Sequence, residues 1–361
     1  MKKIFFVAVL AITAGFANSQ DNKNYSNPFI NKGDWMIGGT ESWYTSQYKG
    51  NTNSKANTFS LSPDYGYLFT NKLAGGLRLN YTSYSQPNVT NSSTFTNFQV
   101  APYLRYYFLP EGSKTNILGD VSYGFGSEGG SKKLSYNYFG VMAGPEFFLN
   151  QNTGLQVLGT YKTWGGDAYT HRENEFGLWA GFQNHYRCHN QPSWSPVMGK
   201  GDWLAGGDLW LSFSKESGIS NSNTTYFATT PDLGYFFCDH FVGGLRLNYN
   251  STKVQSSSDA FVNFYAEPFA RYYFLPKADK TNIFGDFGYA FGSTGQTTKK
   301  SYNFWQISAG PSFFLSPNTS LDAGLTYQSY GGDAYSTHYN SWGLSVNYQV
   351  HLGDNGGYGK K

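Results

Sequence analysis

The word GGLRLNY occupies residues 75–81 and returns letter for letter at 243–249. Its residues alternate. Gly75, Leu77, Leu79 and Tyr81 fall on one side, and Gly76, Arg78 and Asn80 on the other. A period of two marks a strand with one apolar and one polar face. The arginine between two leucines therefore points away from them, into whatever the polar face encloses.

The repeated word belongs to a longer duplication. KGDW at 32–35 recurs at 200–203, and SPDYGYLF at 62–69 answers TPDLGYFF at 230–237, both offset by 168. RYYFLP (105–110, 271–276), TNILGD/TNIFGD (115–120, 281–286) and GGDAY (165–169, 331–335) recur at an offset of 166. Two residues are lost between Tyr249 and Arg271, in a loop-like stretch. The period far exceeds that of solenoid repeats, so a whole unit is duplicated.

Composition sets the class. The 361 residues include 30 Tyr, 30 Phe, 9 Trp and 43 Gly, with only 14% charged. Strong strand formers with turn formers argue for an all-β chain. A net charge of +3 without a basic run gives no footprint for nucleic acid. MKKIFFVAVLAITAGFANSQ reads as a signal peptide over 1–19: Lys2 and Lys3, a short apolar core, and Ala17-Asn18-Ser19 before Gln20. The two cysteines, Cys188 and Cys238, form no C-x-x-C, and the histidines are scattered, so neither a metal nor another cofactor is expected. A Cys188–Cys238 disulfide is an open alternative in an oxidising compartment.

Eight strands are expected in each copy, near 34–46, 56–69, 72–84, 95–109, 115–127, 134–149, 153–165 and 173–187, and again from 202 to 351. Each is long enough for a tilted strand to cross a bilayer. Connections alternate between long (47–55, 85–94, 128–133, 166–172) and short (70–71, 110–114, 150–152). That is the plan of an outer-membrane barrel, with its short turns on the periplasmic side. One register carries Leu77, Leu104, Val121, Phe139, Leu149, Leu155 and Phe182 with no charge, and is assigned to lipid. Glu41 departs from this pattern, where copy two has Leu209; a local bulge or a position near the upper rim would explain it.

The other register holds the charges. Copy one has Asp64, Arg78, Arg105, Asp120, Glu146 and Lys162; copy two has Asp232, Arg246, Glu267, Arg271 and Asp286. Charges drawn from water need partners, so these residues are expected inside the barrel, as structural pairs or as a pore lining. Copy two has Ser312 in place of Glu146 but gains Glu267 where copy one has Ala101. The expected reading is that Glu267 replaces the lost acid.

With these features each half, 34–187 and 202–351, resembles the small eight-stranded outer-membrane β-barrel family of Gram-negative bacteria, in two tandem copies. The resemblance implies an all-β, transmembrane, antiparallel up-and-down barrel in the bacterial outer membrane. Its implied partners are outer-membrane lipids, the outer-membrane assembly machinery and extracellular ligands at the loops. The expected organisation is a first barrel repeat over 20–187, a periplasmic linker over 188–199, a second repeat over 200–352 and a polar tail over 353–361.

Sixteen strands can close as two narrow barrels or as one wide one. Two are favoured here. Both copies keep their own first and eighth strands, copy one's interior charges balance, and each copy has a similar lead-in, NPFINKGDW and SPVMGKGDW. Two narrow barrels imply a structural or surface-display role; one sixteen-stranded barrel implies a porin-like channel for small solutes. No nucleophile elbow, P-loop or metalloprotease motif is present, and Asp167, His171, Glu173, Asp333 and His338 read as loop residues, so no enzyme is expected.

Overall fold

The computed structural model describes residues 28–353 and 357–358, apart from 29, 40, 50, 52–53, 90–93, 111, 188–193, 218, 220–221, 277–279 and 336. The expected signal peptide and Cys188 lie outside the described residues. Cys238 is exposed with a free thiol.

Repeat one supplies β1 (Trp35–Gly38), β2 (Glu41–Tyr48), β3 (Ala56–Leu61), β4 (Asp64–Leu68), β5 (Leu73–Ser85), β6 (Phe95–Tyr107), β7 (Thr115–Gly129), β8 (Lys133–Phe148), β9 (Thr153–Gly165) and β10 (Glu173–Tyr186). The short β11 (Trp194–Ser195) follows in the link. Repeat two supplies β12 (Trp203–Gly206), β13 (Leu209–Glu216), β14 (Thr224–Thr229), β15 (Asp232–Cys238), β16 (Phe241–Val254), β17 (Phe261–Tyr273), β18 (Thr281–Gly295), β19 (Lys299–Ser316), β20 (Thr319–Gly331) and β21 (Tyr339–Leu352). The terminal β22 (Gly357–Tyr358) pairs with β11. All wall pairings are antiparallel and close into one sheet. The connection expected to be long at 128–133 is a tight turn, because β7 and β8 pair as far as Gly129 and Lys133.

The first two wall strands of each repeat are interrupted at mid-length, and these interruptions decide the architecture. Gly39 and Gly207 have φ of +106° and +90°, a region that side chains other than glycine rarely adopt. A Cβ on Gly39 would stand 2.0 Å from the Ser62 carbonyl oxygen. The neighbouring strand breaks beside it at Ser62-Pro63, and Thr230-Pro231 is the equivalent break. Proline withdraws one ladder donor, as at bulges and edges. The Pro63 and Pro231 carbonyls still accept from Leu79 and Leu247 at 3.0 and 2.9 Å.

Below the bend, at the short-turn end, each repeat closes on itself. Trp35, Met36 and Ile37 face Tyr186, His185 and Asn184. Trp203, Leu204 and Ala205 face Leu352, His351 and Val350. Above the bend the partners change. Strand β2 runs along β21, from Glu41↔Val346 to Tyr48↔Tyr339. Strand β13 runs along β10, from Leu209↔Ala180 to Glu216↔Glu173. The preference for two separate barrels is thereby corrected: the walls join in a single sixteen-stranded barrel, and only its lower end divides into two legs.

The exchange keeps register. Continued upward, Trp35↔Tyr186 would set Glu41 opposite Ala180. Ala180 instead faces Leu209, the counterpart of Glu41 one repeat on. Likewise Trp203↔Leu352 would set Leu209 opposite Val346, which faces Glu41. Each closure uses eight residue pairs per seam. Glu41 stands at neither a rim nor a simple bulge; its backbone begins the exchanged segment.

The outer surface carries half-exposed apolar side chains such as Leu104, Phe125, Phe139, Phe176 and Phe291, as a lipid-facing wall requires. Three residues assigned to lipid are placed differently. Leu149 is buried, and Leu155 and Phe182 pack with it against Ala205, Val350 and Leu352. These side chains form an apolar seam between the legs.

Candidate functional site

The lumen is the candidate site, and the opening word explains its construction. Gly76 pairs with Gly66. A Cβ on Gly76 would lie 2.4 Å from the Tyr103 ring, and one on Gly66 2.5 Å from the Tyr103 hydroxyl. The missing side chains let Tyr103 lie across the leg. The Arg78 guanidinium sits 3.9 Å above that ring, a cation–π arrangement. Repeat two does the same with Gly234, Gly244 and Phe269, and Arg246 lies 3.9 Å from the Phe269 ring.

In leg one, Arg78 donates to both oxygens of Asp120, at 3.1 and 2.7 Å, and to Asp64 at 3.2 Å. Arg105 donates to Asp120 at 3.1 Å and to Gln183 Oε1 at 3.3 Å. Asp120 and Arg105 are almost fully buried, where an unpaired charge would be costly. The sequence-derived residues Asp64, Arg78, Arg105 and Asp120 thus form one network. Glu146 and Lys162 stand outside it. Glu146 pairs with His185 at 2.8 Å. Lys162 faces the rings of Tyr138, Trp164 and Trp210 at 5.6, 5.6 and 5.0 Å.

In leg two, Arg246 donates to Asp286 at 3.0 and 2.6 Å, to Asp232 at 3.3 Å and to Glu267 at 3.0 Å. Arg271 donates to Asp286 at 2.9 Å and to Asp322 at 2.7 Å. All five residues expected inside repeat two are therefore brought together, and Asp322 joins them.

Asp322 corrects the reading of the lost acid. Glu146 faces Gln156 across β8 and β9, and Ser312 faces Asp322 across β19 and β20. The acid has moved to the strand directly opposite, where Ser312 and Ser320 donate to it. Glu267 is an additional charge, held by Arg246 and by Gln306, whose Nε2 donates at 2.6 Å. The signal for Asp322 was its place 166 residues after Gln156, in the polar register. The same offset relates His185 to His351, which accompany the acids in both legs; His351 Nε2 lies 3.2 Å from Ser320 Oγ.

Beneath the charges each leg is filled. Met36, Leu68, Tyr107, Leu118, Phe148 and Leu158 form a buried layer joined from below by Ile30. Leg two has Leu204, Phe236, Val242, Tyr273, Phe284 and Phe314, joined by Trp194 and Met198. The lead-ins are thus inserted into the legs, and the second half of the expected linker belongs to leg two. At the bend the two interiors merge in a cavity of about 630 Å³, lined by both repeats, including Gly38, Tyr44, Trp179, Glu267 and Ser345.

The loop acids have structural roles in the geometry. Ser135 Oγ donates to Asp167 at 2.6 Å, and Ser301 Oγ to Asp333. Among the described residues, no group of histidine, cysteine and acidic side chains is arranged to hold a metal ion.

Residues 199–349 match the family model described as the outer membrane protein beta-barrel domain. No curated protein matches the chain. A bacterial polysaccharide outer membrane secretin is 8% identical, with 90% of this chain and 98% of that chain covered, at a TM-score of 0.46. OccK9 (OpdG) of Pseudomonas aeruginosa is 11% identical, with 90% and 100% covered, at 0.36. OpdK of the same organism is 11% identical, with 88% and 99% covered, at 0.35. By its matched second repeat and by a closed antiparallel wall with an apolar exterior, the chain is a β-barrel protein of the bacterial outer membrane.

Proposed function

We propose that the chain is a porin-like channel protein of a constricted kind: one sixteen-stranded mouth leading into two legs, each narrowed by a charged layer and an apolar floor. The observation that carries this reading is the pairing of β2 with β21 and of β10 with β13, which merges two interiors into one polar cavity. Two separately closed barrels would have no shared cavity. A sixteen-stranded wall is wide enough to enclose water, whereas an eight-stranded one is filled by its own side chains. The long-loop end is the extracellular mouth, the short-turn end is periplasmic, and the repeats derive from one eight-stranded unit. The interior charges from Asp64 to Lys162 and from Asp232 to Asp286 line and brace this route. No catalytic role is proposed.

The test is planar-bilayer recording of the purified full chain beside a Tyr107→Ala, Tyr273→Ala variant. Both tyrosines are fully buried in the floors. The wild type is expected to give small, infrequent current steps, and the variant larger and more frequent ones. Silence from both proteins, each still running as a heat-modifiable folded barrel in detergent, would overturn the channel reading and return the chain to surface display.

A further inference from the structure

We propose that the repeat-two side of the shared cavity is a binding site for small amine-bearing cations, with Glu267 as its specificity-determining side chain. The inference deepens the channel reading and rests on it for its biological sense, but it is tested separately.

The two halves of the cavity have diverged in volume. On the repeat-one side Met142, Leu158 and Trp179 occupy the lumen; their counterparts 166 residues on are Ser308, Gly324 and Ser345. All three small residues line the cavity. Strand exchange strengthens the contrast. It brings Trp210 of repeat two opposite Trp179, beside Lys162, its rings and the facing Glu175, so the repeat-one side is packed with indoles and a charge-balanced pair. The hollow of about 630 Å³ is left mainly to repeat two, within the size range of small-molecule sites.

The chemistry of the hollow is one-sided. Asp208, Asp232, Glu267, Asp286 and Asp322 line it, against Arg246 and Arg271, a surplus of three formal negative charges. Low-dielectric walls concentrate such a field and raise the local concentration of counter-ions. Glu267 is the acid that repeat one lacks, since Ala101 stands there. Around it Tyr265, Gln306, Gln328 and Thr326 offer oxygens to an ammonium group. The cavity volume and the charge surplus arise at different positions, yet both fall on the same side.

The test is calorimetric titration of the full chain, folded in detergent, with 1,4-diaminobutane, and with acetate as the anionic counterpart. The wild type is expected to bind the diamine saturably and not to bind acetate. Glu267→Ala should weaken diamine binding by about tenfold or more, as loss of a buried charge partner does. This substitution installs the residue that repeat one already accommodates. Ser308→Met, which fills the hollow without touching charge, should weaken it as well. No saturable diamine binding by the folded wild type, wild-type affinity in Glu267→Ala or in Ser308→Met, or preference for acetate would each overturn the proposal. Because the readout is binding, a silent bilayer recording would refute the channel without deciding this site.

Discussion

A pair of cysteines can report which strands meet above the bend. Ser46 and Ser341 face each other across the β2–β21 seam. Directly opposed residues of antiparallel strands have Cα atoms about 4.5–5.5 Å apart, inside the roughly 4.4–6.8 Å span of a disulfide. Closure within repeat one would instead set Ser46 opposite Glu175, by continuation of Trp35↔Tyr186. In the observed ring Glu175 faces Ser214, and β10 is separated from β2 by the strands of β3/β4 to β9. In a Cys188→Ser, Cys238→Ser background, Ser46→Cys with Ser341→Cys should therefore oxidise in the folded chain, and Ser46→Cys with Glu175→Cys should not. Tandem mass spectrometry of the digested, unreduced protein reads the linked peptides. The bond closes nearly the whole chain between the repeats, so it should stabilise the barrel by roughly 2–4 kcal/mol, seen as a higher urea midpoint before reduction than after. Efficient linkage of positions 46 and 175, with none between 46 and 341, would refute the exchanged closure and restore two barrels.

Two further outcomes follow from the lumen and the bend. Arg105→Met and Arg271→Met each leave a buried carboxylate short of a partner, at a cost of about 3–5 kcal/mol. The second should sit at the upper end, because Asp120 and Asp286 keep their paired bonds from Arg78 and Arg246, whereas Asp322 loses its only ion pair among the described residues. Urea titrations in lipid vesicles compare them, and equal or negligible losses would contradict the network. Gly39→Ala forces a side chain into positive φ against the Ser62 carbonyl and should cost about 1–3 kcal/mol or more. Gly38→Ala, where the nearest atom to a Cβ is 3.7 Å away, should cost less than about 1 kcal/mol; similar midpoints for the two variants would remove the bend from its role.

Much of the site was legible because lumen residues obey a local rule. Every second residue of a strand faces inward, so Arg78, Arg105, Asp120, Arg246, Arg271 and Asp286 were placed in the lumen by parity alone, and their charge required partners. Lys162 and Glu146 show the limit of that reasoning. Parity gives the face but not the neighbour: Lys162 stands opposite Glu175 and beside aromatic rings, and Glu146 pairs with His185. Asp322 was missed because an acid can cross from one strand to its opposite partner without changing the space it charges. In sequence the two positions are 10 residues apart, from Ser312 to Asp322; in the barrel they share a single cross-strand pair.

The amino-acid order alone determined the duplication, the all-β class, the strand count and the alternation of apolar and polar faces along each strand, but not that Leu149, Leu155 and Phe182 pack between the legs. What it determined depends on spacing within one segment. Only the tertiary structure decided how the sixteen strands close. The first strands of the two repeats present equivalent registers to either eighth strand, so closure within each repeat, continued upward, would offer the same backbone pairing. The choice falls to contacts between segments distant in the chain: Trp179 set opposite Trp210 across the β10–β13 seam, ring against ring at Tyr48 and Tyr339, and a glycine bend that turns each first strand toward the other repeat.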